Sequence, residues 1–165
     1  MSLLLRGGLI VDGTGQPPFR GDVWIERDVI RAVGDLSQVS AREEIDASGL
    51  VVSPGFIDCH THSDFALLQN RQHPHAVYSG ISTLVVGQCG LGFAPMPEAE
   101  FDRSIRMHAG IFGDPRAYVP RWSGFAAHLR LLEGCAVNVA ACVTHNAVRQ
   151  AGTGFSDAPL TGPAL

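Results

Sequence analysis

Pro54-Gly55-Phe56-Ile57-Asp58-Cys59-His60-Thr61-His62-Ser63-Asp64 follows a run of short strand-like segments and ends in two histidines two apart, then an acid. In an extended chain, residues i and i+2 point to one face. His60 and His62 can therefore present two imidazoles to a single point while Thr61 is directed away. Two neutral imidazoles converging at a strand end suit a borderline metal such as zinc. Spacing alone equally describes two polar residues at the start of a loop. The flanks favour the first description. Leu50-Val51-Val52-Ser53-Pro54-Gly55 reads as a strand broken by a Pro-Gly turn, and Phe56 to Cys59 reads as a short, largely buried strand.

Downstream, the pattern repeats. Ser63 or Asp64 suits the cap of a short helix or loop over residues 63–68. Pro74 to Gly80 reads as a helix, with His73 and His75 expected at the surface. Ile81-Ser82-Thr83-Leu84-Val85-Val86-Gly87 is a β-branched run of strand length, followed by Gln88-Cys89-Gly90. A strand, a helix-bearing crossover and a second strand make a βα unit with a parallel sheet. Ala136 to Val143 is a third strand, delivering Thr144-His145-Asn146 at its end. Site residues in such sheets collect at the carboxyl ends of the strands, where His60, His62 and Cys89 all fall. As a residue type, Cys89 reads either as a ligand or as a small buried residue after a strand.

Between these strands, Gly90 to Pro120 is less regular. Glu98 to Met107 allows a short helix, and Gly110 to Pro120 reads as loop. Residues 121–133 place Trp122, Phe125, Ala126, Leu129 and Leu132 at helical spacing, with His128 on the solvated side. Beyond Ala151 no clear element is visible. Cys59 alternates away from the histidines and reads as core, while Cys135 and Cys142 read as structural.

Residues 1–53 have a different texture. Leu3 to Asp12 reads as strand broken by a Gly7-Gly8 turn or bulge, and Asp22 to Glu26 and Val29 to Gly34 read as a hairpin. Short segments at residues 44–47 and 50–52 complete a small antiparallel β unit, in which Asp12, Asp22 and Trp24 serve as turn and core residues.

Composition narrows the function classes. The chain has 165 residues, of which 45% are hydrophobic, and a net charge of −4 from 12 basic and 16 acidic side chains. No basic block recommends nucleic acid as a partner. The apolar run Leu3-Leu4-Leu5 is too short for a signal peptide, and no window has the length of a membrane span, so a cytoplasmic location is expected. The four cysteines show no C-x-x-C spacing and read as thiols or ligands, not as a disulfide framework.

With these residues placed, the chain resembles the amidohydrolase superfamily, and within it the N-acyl-D-amino-acid deacylases (D-aminoacylases). The resemblance is carried by Val11-Asp12-Gly13-Thr14-Gly15, by Pro54-Gly55-Phe56-Ile57-Asp58-Cys59-His60-Thr61-His62, by Val86-Gly87-Gln88-Cys89-Gly90, and by Asn138-Val139-Ala140 with His145-Asn146. The cysteine of Gly-x-Cys-Gly points to the deacylase branch and away from hydantoinase-like or dihydroorotase-like hydrolases of cyclic amides.

The implied fold is α/β: an incomplete (β/α)8 barrel of about three βα units over residues 54–165, preceded by the N-terminal part of a small β-sandwich over residues 1–53. The implied activity is zinc-dependent hydrolysis of the acyl amide of small-molecule N-acyl-D-amino acids. Cys89 is implied as ligand to a tightly held Zn2+, with His60 and His62 facing a second, weaker position. Asp64 and His145 are implied as site- or substrate-lining residues. No catalytic residue is expected within this chain, since the resemblance puts two further histidine ligands and the general-base aspartate beyond Leu165. The 165-residue chain alone is therefore expected to be an inactive N-terminal fragment. The residue before His145 is usually glycine in the family and is Thr144 here.

Overall fold

The computed structural model describes residues 2–114, 116 and 121–161. The chain divides into two compact units, residues 1–54 and 55–165.

In the first unit, a sheet in the order β3-β2-β1-β4 is built from β1 (Ser2–Ile10), β2 (Phe19–Glu26), β3 (Val29–Gly34) and β4 (Glu43–Asp46), with β5 (Val51–Val52) also pairing β1. The β1–β2 and β2–β3 pairs are antiparallel, as the hairpin pattern predicts. Both β4 and β5 run parallel to β1, so the sheet is mixed and not antiparallel throughout. The apolar alternation that marks a strand carries no direction; direction is set by the loops, which here return the chain to the same end of β1. The glycine pair marks a bulge between Leu5 and Gly8 within one strand, with Gly7 at φ +67°. Next to this bulge, Arg6 ties three strands together: its guanidinium donates to Asp22 and Glu44, each at 3.1 Å, and to the Leu36 carbonyl at 2.9 Å. The unit buries few large side chains, chiefly Leu4, Ile10 and Val23.

The second unit is a parallel three-stranded sheet in the order β6-β7-β8, formed by β6 (Phe56–Asp58), β7 (Ile81–Val86) and β8 (Asn138–Ala141). Helices α1 (Asp64–Gln69) and α2 (Pro74–Tyr78) connect β6 to β7; α3 (Phe101–Phe112) and α4 (Phe125–Leu131) lie between β7 and β8; α5 (His145–Thr153) follows β8. The buried core gathers Phe65 and Leu67 from α1, Leu84 and Val86 from β7, Phe101 and Ile105 from α3, and Phe93, Met96 and Trp122 from the connections. Burying each large apolar side chain contributes roughly 1.5–3 kcal/mol. Phe65 and Phe93 lie 4.1 Å apart between ring centroids, and the Trp122 indole donates to the Phe93 carbonyl at 2.8 Å. Because the strands are parallel, the segments 59–62, 87–90 and 142–146 emerge at one edge of the sheet.

Several expectations are corrected. Phe56 and Ile57 are 60% and 66% exposed, because among the described residues β6 is an edge strand that pairs with β7 alone. Cys59 is exposed rather than core, as is Cys142, while Cys135 is half-buried. His73 is buried at the start of α2, in a left-handed conformation with φ +38°. His128 is 3% exposed and packs against Trp122, whereas Ala126 and Leu129 are exposed. Helix α4 begins only at Phe125, so Trp122 lies outside its register and the face read from residues 121–133 is rotated. Helix α3 continues to Phe112, past the expected stop. Of the loop expected over residues 110–120, positions 115 and 117–120 lie outside the described residues. Residues 145–153 form a helix whose apolar signal is too sparse to read alone.

Candidate metal centre

His60 and His62 lie just past the end of β6, and Cys89 lies in the turn that follows β7. The described residues bring the three together, with one donor atom from each within 4.8 Å of the others. The His60 Nε2 is 3.2 Å from the Cys89 Sγ. Zinc bonds of about 2.0–2.3 Å in a tetrahedral arrangement space neighbouring donors by roughly 3.5 Å. The donor set fits a zinc ion in both spacing and chemistry, since two imidazoles with a thiolate form the nitrogen–sulfur combination zinc favours. His62 Nδ1 adds a second sign: it is buried and makes no hydrogen bond.

The local backbone accounts for these positions. The Asp58 carboxylate accepts the His60 amide at 3.0 Å, closing an Asx-type turn that lifts the chain out of β6. The Thr61 amide still reaches the Val85 carbonyl at 3.4 Å, keeping the histidine segment beside β7. The His62 ring meets Phe112 edge-to-face, with centroids 5.1 Å apart. Cys89 has φ +56°, between Gly87 at +80° and Gly90 at +69°. A left-handed conformation is rare for a non-glycine residue and concentrates at functional sites.

Asp64 and His145 occupy different surroundings. Asp64 is 1% exposed at the start of α1, so it is buried rather than solvated. Burial pushes its carboxyl up to about 6, opposed by hydrogen bonds from its own amide and that of Gly87. Its Oδ2 is buried without a partner. His145 is exposed at the first turn of α5, with its Cβ near Gly90. It stands at the edge of the Cys89 turn and outside the three-donor cluster.

Phe112, Thr144 and Asn146 also surround the centre, yet the sequence reading gives them no part in it. Phe112 reaches His62 from a helix about fifty residues along the chain, and no local pattern announces that. For Thr144, the one signal in the sequence is that the resemblance leads one to expect glycine at this position.

Comparison with known proteins identifies the family. The model of the amidohydrolase family matches residues 43–155. A D-aminoacylase of Alcaligenes xylosoxydans xylosoxydans is 39% identical over 151 residues, which span 90% of this chain and 30% of the relative. A D-aminoacylase crystal structure superposes with a TM-score of 0.73 at 40% identity, covering 92% of this chain and 31% of that one. An N-acyl-D-glutamate deacylase from Bordetella bronchiseptica, solved with zinc and a phosphonate mimic of the tetrahedral intermediate, gives 0.69 at 33% identity, with the same coverage of 92% and 31%. The chain thus spans about 30% of the length of the curated relatives it matches. Its α/β architecture is that of the corresponding part of a TIM-barrel amidohydrolase. The family match covers the cluster and all three strands that position it, and the chain belongs to the amidohydrolase family.

Proposed function

We propose that this chain forms the first part of a zinc-dependent deacylase that hydrolyses the acyl amide of N-acyl-D-amino acids. The observation that carries the reading is the convergence of His60, His62 and Cys89, with a thiol as third donor. In this reading, residues 1–53 belong to a small β-sandwich and residues 54–165 to the barrel.

Cys89 would hold the tightly bound zinc, and His60 and His62 would face a second, weaker position beside it. Zinc, when bound, supplies Lewis-acid polarisation of the amide carbonyl and makes water a better nucleophile at neutral pH. The residues of this chain then have distinct tasks. Asp58 fixes the turn that aims His60. Phe112 packs on the His62 ring and keeps water from that side. The exposed His145 lines the approach for substrate, and Asp64 supports the site from beneath. The general base and two further histidine ligands are assigned to the part of the relatives outside the matched stretch. The relatives' names, D-aminoacylase and N-acyl-D-glutamate deacylase, support the substrate class.

The test is metal binding by the 165-residue chain, followed by optical spectroscopy of its cobalt(II) form. A thiolate-to-cobalt charge-transfer band that is lost in Cys89→Ser supports the reading. Cobalt binding with no such band overturns it. A protein continuing through the whole barrel should hydrolyse N-acyl-D-amino acids in preference to hydantoins; the reverse preference assigns the cyclic-amide branch instead.

A further inference from the structure

The turn bearing Cys89 is gripped from beyond the end of β8 by two side chains that lie outside the three-donor cluster. Asn146 Oδ1 accepts the Gly92 amide at 3.0 Å, and its Nδ2 donates to the Gly92 carbonyl at 3.2 Å. One carboxamide therefore satisfies both backbone groups of a single buried residue, as a neighbouring strand does in a sheet. The orientation of the amide follows from this pairing, because only the oxygen can face the N–H. The backbone amide of Asn146 donates in turn to the Gly90 carbonyl at 3.0 Å, occupying one of the free amides at the start of α5.

Thr144 completes the clamp. It is 3% exposed, and its hydroxyl donates to Asn146 Oδ1 at 2.7 Å. Its methyl group lies between the two glycines that bracket the cysteine. A Cβ placed on Gly92 would sit 2.6 Å from Thr144 Cγ2, and one on Gly87 would sit 3.0 Å from the same atom. The bracketed turn holds positive φ at Gly87, Cys89 and Gly90. A non-glycine residue in that conformation relaxes unless its surroundings hold it.

From these contacts we infer that Thr144 and Asn146 are positioning residues for the Cys89 thiol: they hold the turn after β7 in the strained shape that brings Sγ beside His60 Nε2. The inference rests on the metal reading above and extends it to two residues without a donor atom in the cluster. Outer partners that orient ligands change metal affinity by about 10–100-fold when removed.

The experiment compares the 165-residue chain with Asn146→Ala, Thr144→Val, Thr144→Ser and Leu132→Ala. Cobalt(II) affinity, the thiolate charge-transfer band and hydrogen exchange at the Gly92 amide are the readouts. Leu132 is buried in the core without a described contact to the turn, so its variant reports general destabilisation. Asn146→Ala and Thr144→Val are expected to weaken cobalt binding about 10–100-fold, diminish the band and speed exchange at Gly92. Thr144→Ser keeps the hydroxyl and should recover most of the affinity; Leu132→Ala should lower the melting temperature with the band intact. A wild-type chain without the band overturns the metal reading, and this inference with it. A wild-type band that Asn146→Ala and Thr144→Val leave unchanged overturns the positioning role alone. Equal loss of affinity in Leu132→Ala also overturns it, since the effect would then be one of stability.

Discussion

The imidazole of His60 and the thiol of Cys89 approach to 3.2 Å across 29 residues of sequence, each carried on the turn that leaves a parallel strand. The pairing depends on the register of β6 against β7, where Asp58 lies opposite Leu84. Two strand ends at the same level place two donors at one point; a slip of one residue would move both to opposite faces.

Removing Cys89 and removing His62 should change metal binding in different ways. Cys89→Ser replaces a soft ligand with a hard, weakly acidic one and should reduce zinc affinity by at least about tenfold. His62→Ala removes one imidazole but leaves the His60–Cys89 pair, so the cobalt charge-transfer band should persist at higher metal concentration. Titration with a chromophoric zinc chelator measures the first effect and absorption spectroscopy the second. Retained zinc affinity in Cys89→Ser would show that the thiol is not a ligand.

Gly92→Ala should be costly. The new methyl would meet Thr144 at 2.6 Å from Cγ2 and 2.7 Å from Oγ1, inside any permitted contact, and Thr144 is itself buried. Overpacking of this kind costs roughly 1–3 kcal/mol. Chemical denaturation of the variant reads the loss, and Gly92→Ala combined with Thr144→Gly should recover a large part of it. No recovery in the double variant counts against the steric account.

His128 makes stability depend on pH. Burial against Trp122 lowers its pKa from the ordinary 6.5 to about 4, and its Nδ1 has no hydrogen-bond partner. The folded state therefore holds the neutral ring while the unfolded chain takes up a proton below about 6.5. The stabilisation is complete above that pH, declines as pH falls toward 4, and is worth on the order of 3 kcal/mol over the interval. In denaturation at several pH values between 7 and 4, wild type should lose on the order of 3 kcal/mol of stability relative to His128→Leu, whichever is the more stable at pH 7. A constant difference between pH 7 and pH 4 would refute it.

Ile105→Ala tests whether α3 is held by the shared core. Ile105 is fully buried among residues from α1, β7 and the connections. Truncation to alanine should cost about 2–5 kcal/mol, read from the urea midpoint with unchanged slope. Met107 on the same helix is 68% exposed, and its alanine variant should change stability by less than about 0.5 kcal/mol.

In the first unit, Arg6→Lys should lower the melting temperature even though the charge is retained. Arg6 donates in several directions at once, to Asp22, Glu44 and the Leu36 carbonyl. An ammonium on a flexible stem cannot reproduce that planar fork. Equal melting temperatures would show that charge alone suffices.

Much of the architecture was legible in local pattern. The run Ile81 to Gly87 covers β7 with one residue to spare at its end, and Pro74 with Gly80 bracket α2 because proline starts a helix and glycine stops it. Segments with these signals carry their own conformational preference. The face each element buries was less legible: Phe56, Cys59, His73 and His128 were all assigned to the wrong side, since burial depends on which neighbours pack there and not on residue type alone. His128 shows the reason. Its ring is amphipathic, and the position of Trp122 outside the helix turned the buried face toward it.

The sequence by itself determined the donor types, their places after β-rich segments and the family pattern that joins them: His60-x-His62, then Gly87-x-Cys89-Gly90. Only the tertiary structure decided that Cys89 reaches His60, that Phe112 closes on His62, and that Thr144 and Asn146 hold the turn between Gly87 and Gly92. Donor chemistry is a property of single residues and travels with the sequence. Convergence comes from strand register, crossover length and packing between segments far apart in the chain, which no local stretch encodes.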